Sequence, residues 1–167
     1  MPVTATPHLV AIGGSLRAKS RSRAAAAFAI GIARERGLSA ELIDLHELDL
    51  PLYAPDYALT DYAARHQPGI ERLVAACRAA SAMIWCSPTY HGTVSGLFKN
   101  AIDFIELLSD DTPSYLTGRK VGLIAINDSK TFSAMSNSSL SVFAHKDSFQ
   151  DLTGIMQNKP GRDIWLG

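Results

Sequence analysis

Short apolar runs alternate along this chain with longer stretches in which apolar residues recur every three or four positions. His8 to Gly14, HLVAIGG, is a continuous run closing on two glycines and predicts a buried strand that enters a tight turn. From about Ser20 to Arg36 the residues Ala24, Ala27, Phe28, Gly31 and Ile32 recur at helical spacing, which predicts a helix burying that face. Ala40 to Leu45 is a second strand, Gly69 to Ala80 a second helix, and Ser81 to Ser87 a third strand that stops at Ser87-Pro88. Phe98, Ala101, Ile102 and Ile105 mark a third helix, leaving Lys99, Asn100, Asp103 and Glu106 outward, and Lys120 to Asn127 is a fourth strand. Between the second strand and second helix, His46 to Pro68 is long, rich in Pro and Tyr and weakly periodic, as a surface excursion would be.

Strands alternating with helices imply βαβ units, hence an α/β domain whose parallel sheet is covered on both faces. Ligands of such open sheets sit beyond the carboxyl ends of the strands, where the strand order reverses. The two most unusual turns, after the first and third strands, would share that edge. After Asn127 the pattern weakens: Phe132, Met135, Leu140 and Phe143 could form one helical face, and DLTGIM or DIWLG are the candidates for a fifth strand.

A length of 167 residues suits one domain, taken as 1–167. Sixteen basic residues balance sixteen acidic ones, which offers no footprint for nucleic acid and no electrostatic membrane anchor. The apolar runs are too short to span a bilayer, and no basic segment precedes the first of them as in a secretory signal. Cys77 and Cys86 have no CxxC spacing, which argues for a reducing, cytoplasmic setting. The histidines His8, His46, His66, His91 and His145 show no metal-ligand spacing.

The first turn, GGSLRAKSRS from Gly13 to Ser22, combines glycines, the hydroxyls of Ser15, Ser20 and Ser22, and the cations Arg17, Lys19, Arg21 and Arg23 at a helix start. Free amides and the positive dipole end suit a phosphate there, with hydroxyls and a guanidinium completing its shell. GxGxxG and the GKS/T ending are both absent, so a single phosphomonoester fits better than a dinucleotide or triphosphate. A capped helix with a solvated basic rim explains this turn equally well. In the second turn Pro88 fixes the strand exit, Gly92 and Gly96 allow close backbone approach, and Tyr90 and His91 supply rings. Together they could form a shelf for a planar heterocycle, although such a pair in a loop is also ordinary loop chemistry.

The two turns together resemble the NADPH-dependent FMN reductase family, a group of flavodoxin-like NAD(P)H:flavin and quinone oxidoreductases. GGSLRAKSRS is similar to the family's GSLRxxS phosphate loop, and SPTYHGTVSGLFKNAIDF to its P-x-Y-(N/H)-G segment that runs into K-N-A-(I/L)-D-(W/F). LPLYAPD, Leu50 to Asp56, is similar to the family's LPLYDxD stretch; the resemblance covers about His8 to Asn127, and residues 128–167 are atypical. It implies a three-layer α/β/α fold of strand order 2-1-3-4-5, bound FMN, NADPH or NADH as co-substrate, and a homodimer or homotetramer. By the same resemblance Ser15, Arg17, Ser20 and Ser22 would hold the FMN phosphate, and Pro88, Thr89, Tyr90, His91 and Gly92 would line the ribityl chain and ring system. The family often has Glu at the position of Thr89, whose backbone could serve in its place. Lys99, Asn100 and Asp103 would be helix-start structure or a subunit contact, and a third flavin loop would come from Asn127 to Lys130.

The implied activity is hydride transfer from NAD(P)H to bound FMN and on to a second acceptor, such as free flavin, a quinone or an azo compound. A partner monooxygenase that uses reduced FMN is one implied recipient. Chemistry would then be borne by the flavin, with backbone amides near Tyr90, His91 and Gly92 stabilising charge and no side chain acting as acid or base. The alternative is a flavodoxin-like electron carrier or FMN-binding module without NAD(P)H activity. Single-electron carriers of that type tend to be strongly acidic, and this chain is neutral. Divergence of a sheet edge, or a truncated or altered terminus, would account for 128–167.

Overall fold

The computed structural model describes residues 7–126 and the backbone of Trp165–Leu166. Strands β1 (His8–Gly13), β2 (Ser39–Asp44), β3 (Ala82–Tyr90) and β5 (Lys120–Ile126) form a parallel sheet in the spatial order β2-β1-β3-β5. Helix α1 (Arg21–Glu35) covers one face, while α2 (Gln67–Ala79) and α3 (Gly96–Asp103) cover the other. A two-residue strand β4 (Thr93–Val94) pairs antiparallel with the end of β3. The edge beyond β5 is taken by β6 (Trp165–Leu166), from the second of the two candidate segments, and it runs antiparallel instead of adding a fifth parallel strand. DLTGIM, the Phe132 to Phe143 pattern and Asn127 to Lys130 lie outside the described residues.

Helix α1 starts where Ser20 accepts a hydrogen bond from the Arg23 amide at 3.2 Å, an N-cap as its position predicts. It stops at Gly37, whose φ of +79° allows Leu38 N–H to reach the Ala33 carbonyl and Gly37 N–H the Arg34 carbonyl. The face it buries is not the expected one. Ser22, Ala26, Ala29, Ile30 and Ala33 face the sheet, and Phe28 is 55% exposed. A run of alanines makes both faces apolar, so periodicity cannot choose between them; proximity to the sheet does. A methyl on Gly13 would lie 3.1 Å from both Ala26 Cβ and Cys86 Cβ, so the helix packs too closely for a phenyl ring on that side.

The larger core lies under α2 and α3 and is centred on Trp85, Phe98 and Phe104, all essentially inaccessible. Trp85 and Phe98 meet edge to face at 6.0 Å. The excursion after β2 is a surface segment, as its composition predicts, but it is strapped down. Tyr53 N–H donates to Asn100 Oδ1 at 2.9 Å, and Asn100 Nδ2 donates to the Pro51 carbonyl at 2.8 Å. Asn100 therefore faces the excursion, contrary to the outward placement its helical spacing suggested, and its amide serves the backbone as a neighbouring strand would. Tyr62 does the same for Ala54, its hydroxyl accepting from the amide at 2.9 Å and donating to the carbonyl at 3.4 Å.

Candidate functional site

Gly13, the last residue of β1, sits between Asp44, the last of β2, and Cys86 of β3. The chain leaves β1 toward β2 on one side and β3 lies on the other, so the strand order reverses at this edge. Gly14 has φ +131°, a conformation open to glycine, and a Cβ there would come within 2.7 Å of Asp44 Oδ1. The turn is thereby pressed against the end of β2, with Leu45 N–H donating to the Gly13 carbonyl at 3.0 Å.

Ser15, Ser20 and Ser22 are all buried, the last two with their hydroxyls 3.0 Å apart, while Leu16, Arg17, Ala18 and Lys19 form an exposed rim above them. Ser15 Oγ accepts from the Arg17 amide at 3.4 Å. The guanidinium of Arg17 makes no hydrogen bond or ion pair among the described residues. Three buried hydroxyls, those of Ser20 and Ser22 in contact, and the first amides of a fifteen-residue helix thus belong to one turn. One component escaped the sequence reasoning: Asp44, 6% exposed, whose Oδ1 accepts from the His46 amide at 3.0 Å and whose Oδ2 is ion-paired with Arg23 Nε. Its signal was a carboxylate at the end of a run, AELID, that otherwise reads as a buried strand.

The second turn differs from expectation. β3 does not stop at Ser87-Pro88 but continues to Tyr90, with Pro88 paired to Ile126 of β5. A proline is tolerated there because β1 has already ended opposite Cys86, so β3 is an edge on that side. Tyr90 then pairs with Thr93 across a two-residue loop, His91-Gly92, with φ of +54° and +81°. Those angles are a type I′ turn, the form whose twist suits a tight hairpin. The turn amides of His91 and Gly92 make no hydrogen bond among the described residues. Ser87 ties the hairpin to α3: its Oγ accepts from Ser95 N–H at 3.1 Å, and Ser95 in turn caps α3 at Phe98 N–H.

Pleating divides the expected ring-lining residues between two faces. Pro88 and Tyr90 fall on the α1 side with Cys86, above the first turn, and Tyr90 is 40% exposed. Thr89 falls on the α3 side, buried, its Oγ1 without a hydrogen-bond partner, so its side chain does not reach the crevice. His91 is exposed at the hairpin tip. Burial pushes the Cys86 thiol up to about 12, which keeps it protonated and excludes it as a nucleophile beneath the site. Among the described residues no group of His, Cys, Asp and Glu could hold a metal ion. The crevice offers an anion cradle at one end. A hairpin whose turn amides are unpaired among the described residues, with an accessible ring, stands at the other, reaching roughly 13 Å beyond the end of β1.

A family model described as NADPH-dependent FMN reductase matches residues 7–149. Similar curated proteins include an NAD(P)H-dependent FMN reductase of Pseudomonas aeruginosa, 38% identical over 96 residues, which cover 58% of this chain and 48% of that protein. An NADPH azoreductase of Bacillus sp. strain OY1-2 is 33% identical over 97 residues, 58% of this chain and 49% of that one. The chain thus spans about half the length of these curated relatives. In three dimensions it is similar to an NADH:FMN oxidoreductase in its apo form, with TM-score 0.66, 23% identity, and coverage of 84% of this chain and 68% of that one. It is also similar to the flavoenzyme NAD(P)H:(acceptor) oxidoreductase of Paracoccus denitrificans, with TM-score 0.65, 22% identity, and coverage of 89% and 77%. At these identities the two structures support the fold.

Proposed function

Given that the chain belongs to the NADPH-dependent FMN reductase family, we propose that it is an FMN-dependent NAD(P)H oxidoreductase. The observation that carries this reading is the placement of two dissimilar turns, one suited to an anion and one to a flat ring, on either side of the same strand-order reversal. The residues fit FMN: the buried hydroxyls of Ser15, Ser20 and Ser22, the helix amides and the uncommitted Arg17 suit a phosphate monoester. Tyr90, Pro88 and the free amides of His91 and Gly92 suit the ribityl chain and ring, and Thr89 contributes backbone alone.

FMN, when bound, supplies the hydride chemistry between a nicotinamide and a second acceptor. The protein's part is to orient it. The His91 and Gly92 amides, unpaired among the described residues, would donate to an electron-rich ring edge and favour negative charge there. Asn100 and Tyr62 hold the backbone of residues 51–54 beside α3. Residues 1–167 form a single domain in this reading. A homodimer or homotetramer, a cytoplasmic location and delivery of reduced FMN to a monooxygenase belong to it as well.

Thermal unfolding with added FMN tests the reading. A ligand at a hundred times its Kd stabilises the native state by about 2.7 kcal/mol, enough to raise Tm by several degrees. No shift at millimolar FMN would refute it. Steady-state oxidation of NADPH by the FMN-loaded protein separates an enzyme from an electron carrier, which would show none.

A further inference from the structure

We propose that Arg23, held at its Nε edge by the buried carboxylate of Asp44, is a phosphate-reading residue of the first turn, with Asp44 as its positioning residue. The inference rests on the assignment of that turn to FMN phosphate; it singles out Arg23 among the turn's four cations, where the resemblance named Arg17, and adds Asp44, which neither motif nor resemblance assigned. Three observations carry it.

Arg23 is the third residue of α1, and helical side chains lean toward the N-terminus, so its stem lies over the turn at Lys19 and Ser20. Its position is fixed at both ends: Ser20 Oγ accepts its amide at 3.2 Å, and Asp44 Oδ2 takes Nε. Asp44 is locked in turn, since Oδ1 accepts His46 N–H at 3.0 Å and lies against Gly14, where a methyl group would be 2.7 Å away.

The ion pair engages one edge of the guanidinium. Its terminal amino groups make no other hydrogen bond among the described residues, and the side chain is half exposed while Asp44 is 6% exposed. A buried carboxylate directly beneath an anion cradle would repel a phosphate if left bare. Paired with Arg23 it becomes a clamp that presents the remaining donors, in the fixed fork a phosphate oxygen accepts. Arg17 lies on the exposed rim with no such anchor, so Arg23 is the pre-organised cation of the pair.

The test compares FMN with riboflavin, which lacks the phosphate, by quenching of flavin fluorescence on titration with apoprotein. Wild type binds FMN at least tenfold tighter than riboflavin. Arg23→Gln raises the Kd for FMN about tenfold or more, as loss of a charged hydrogen bond does, and leaves the Kd for riboflavin within twofold. Arg23→Lys keeps the charge without the fork and does not restore the ratio. Asp44→Asn narrows the preference for FMN over riboflavin in the wild-type background, where Arg23 loses its anchor, and widens it in the Arg23→Gln background, where it removes an unpaired carboxylate beside the phosphate. Retained riboflavin binding shows that each variant is folded.

Equal losses for both flavins would make Arg23 structural and overturn the proposal. An Asp44→Asn effect of the same sign in both backgrounds, or none in the wild-type background, would overturn the positioning role. A wild type that binds neither flavin, or both equally, would remove the assignment of the turn itself and the proposal with it.

Discussion

Replacing Gly14 with alanine perturbs the first turn through two effects that the structure lets one add. Its φ of +131° is a region that L-residues occupy at a cost of about 1–3 kcal/mol. The new methyl would stand 2.7 Å from Asp44 Oδ1, closer than Cβ atoms approach oxygen, so the carboxylate must move. It is not a free side chain. His46 N–H and Arg23 both hold it, and losing one such charged hydrogen bond costs about 1.5–3 kcal/mol. The total is about 2.5–6 kcal/mol, a large share of a typical domain's stability. Urea unfolding followed by circular dichroism measures it as a fall in midpoint at unchanged m-value. Gly31→Ala is the matched control: it sits inside α1 with nothing within 4 Å, and alanine there stabilises by about 0.5–1 kcal/mol. A Gly14→Ala change below about 0.5 kcal/mol would refute the idea that this turn is pressed onto Asp44.

The other expectations concern the hairpin, a helix contact and the buried thiols. His91→Asn or His91→Gly should raise apoprotein stability by about 0.5–1 kcal/mol, since φ +54° suits either residue better, and His91→Ala should lower it; equal melting temperatures for all three would contradict the turn geometry. A methyl on Gly69 would overlap the Leu48 carbonyl oxygen, so Gly69→Ala should force α2 off the segment after β2 and cost about 3 kcal/mol by urea unfolding. Burial raises both Cys77 and Cys86 to about 12, above the ordinary thiol value, so the folded state retains protons that the unfolded chain releases. Their contribution is complete below about pH 9 and is lost as pH rises toward 12, so stability should fall across that window and Cys77→Ala/Cys86→Ala should flatten the fall. Neither thiol should react with a disulfide reagent at pH 8 until the protein unfolds.

The alternation of buried runs with helical patterns was enough to place β1, β2, β3, β5 and the three α-helices among the described residues, because parallel strands buried on both faces are hard to mistake. It failed where local pattern carries no information about distance. The buried face of α1 was set by how closely Ala26 approaches Gly13, and an alanine run looks alike from every side. The extension of β3 past Pro88 depended on where β1 ends, which is a property of register rather than of residues 82–90. His91-Gly92 did carry a local signal: two residues between β-favouring pairs, Thr89-Tyr90 and Thr93-Val94, the second of them glycine, suit a two-residue hairpin loop. Asp44 and Asn100 were invisible for a different reason. Each acts by hydrogen-bonding backbone far away in sequence, or an arginine on another element, and nothing in the neighbouring residues marks such a partner.

Visible absorption of the FMN-loaded chain under anaerobic conditions, before and after one equivalent of NADPH, tests the central claim most directly. The account predicts a yellow protein whose flavin bands shift on binding and bleach when NADPH is added. A spectrum identical to free FMN, unchanged by the protein and by NADPH, would contradict it.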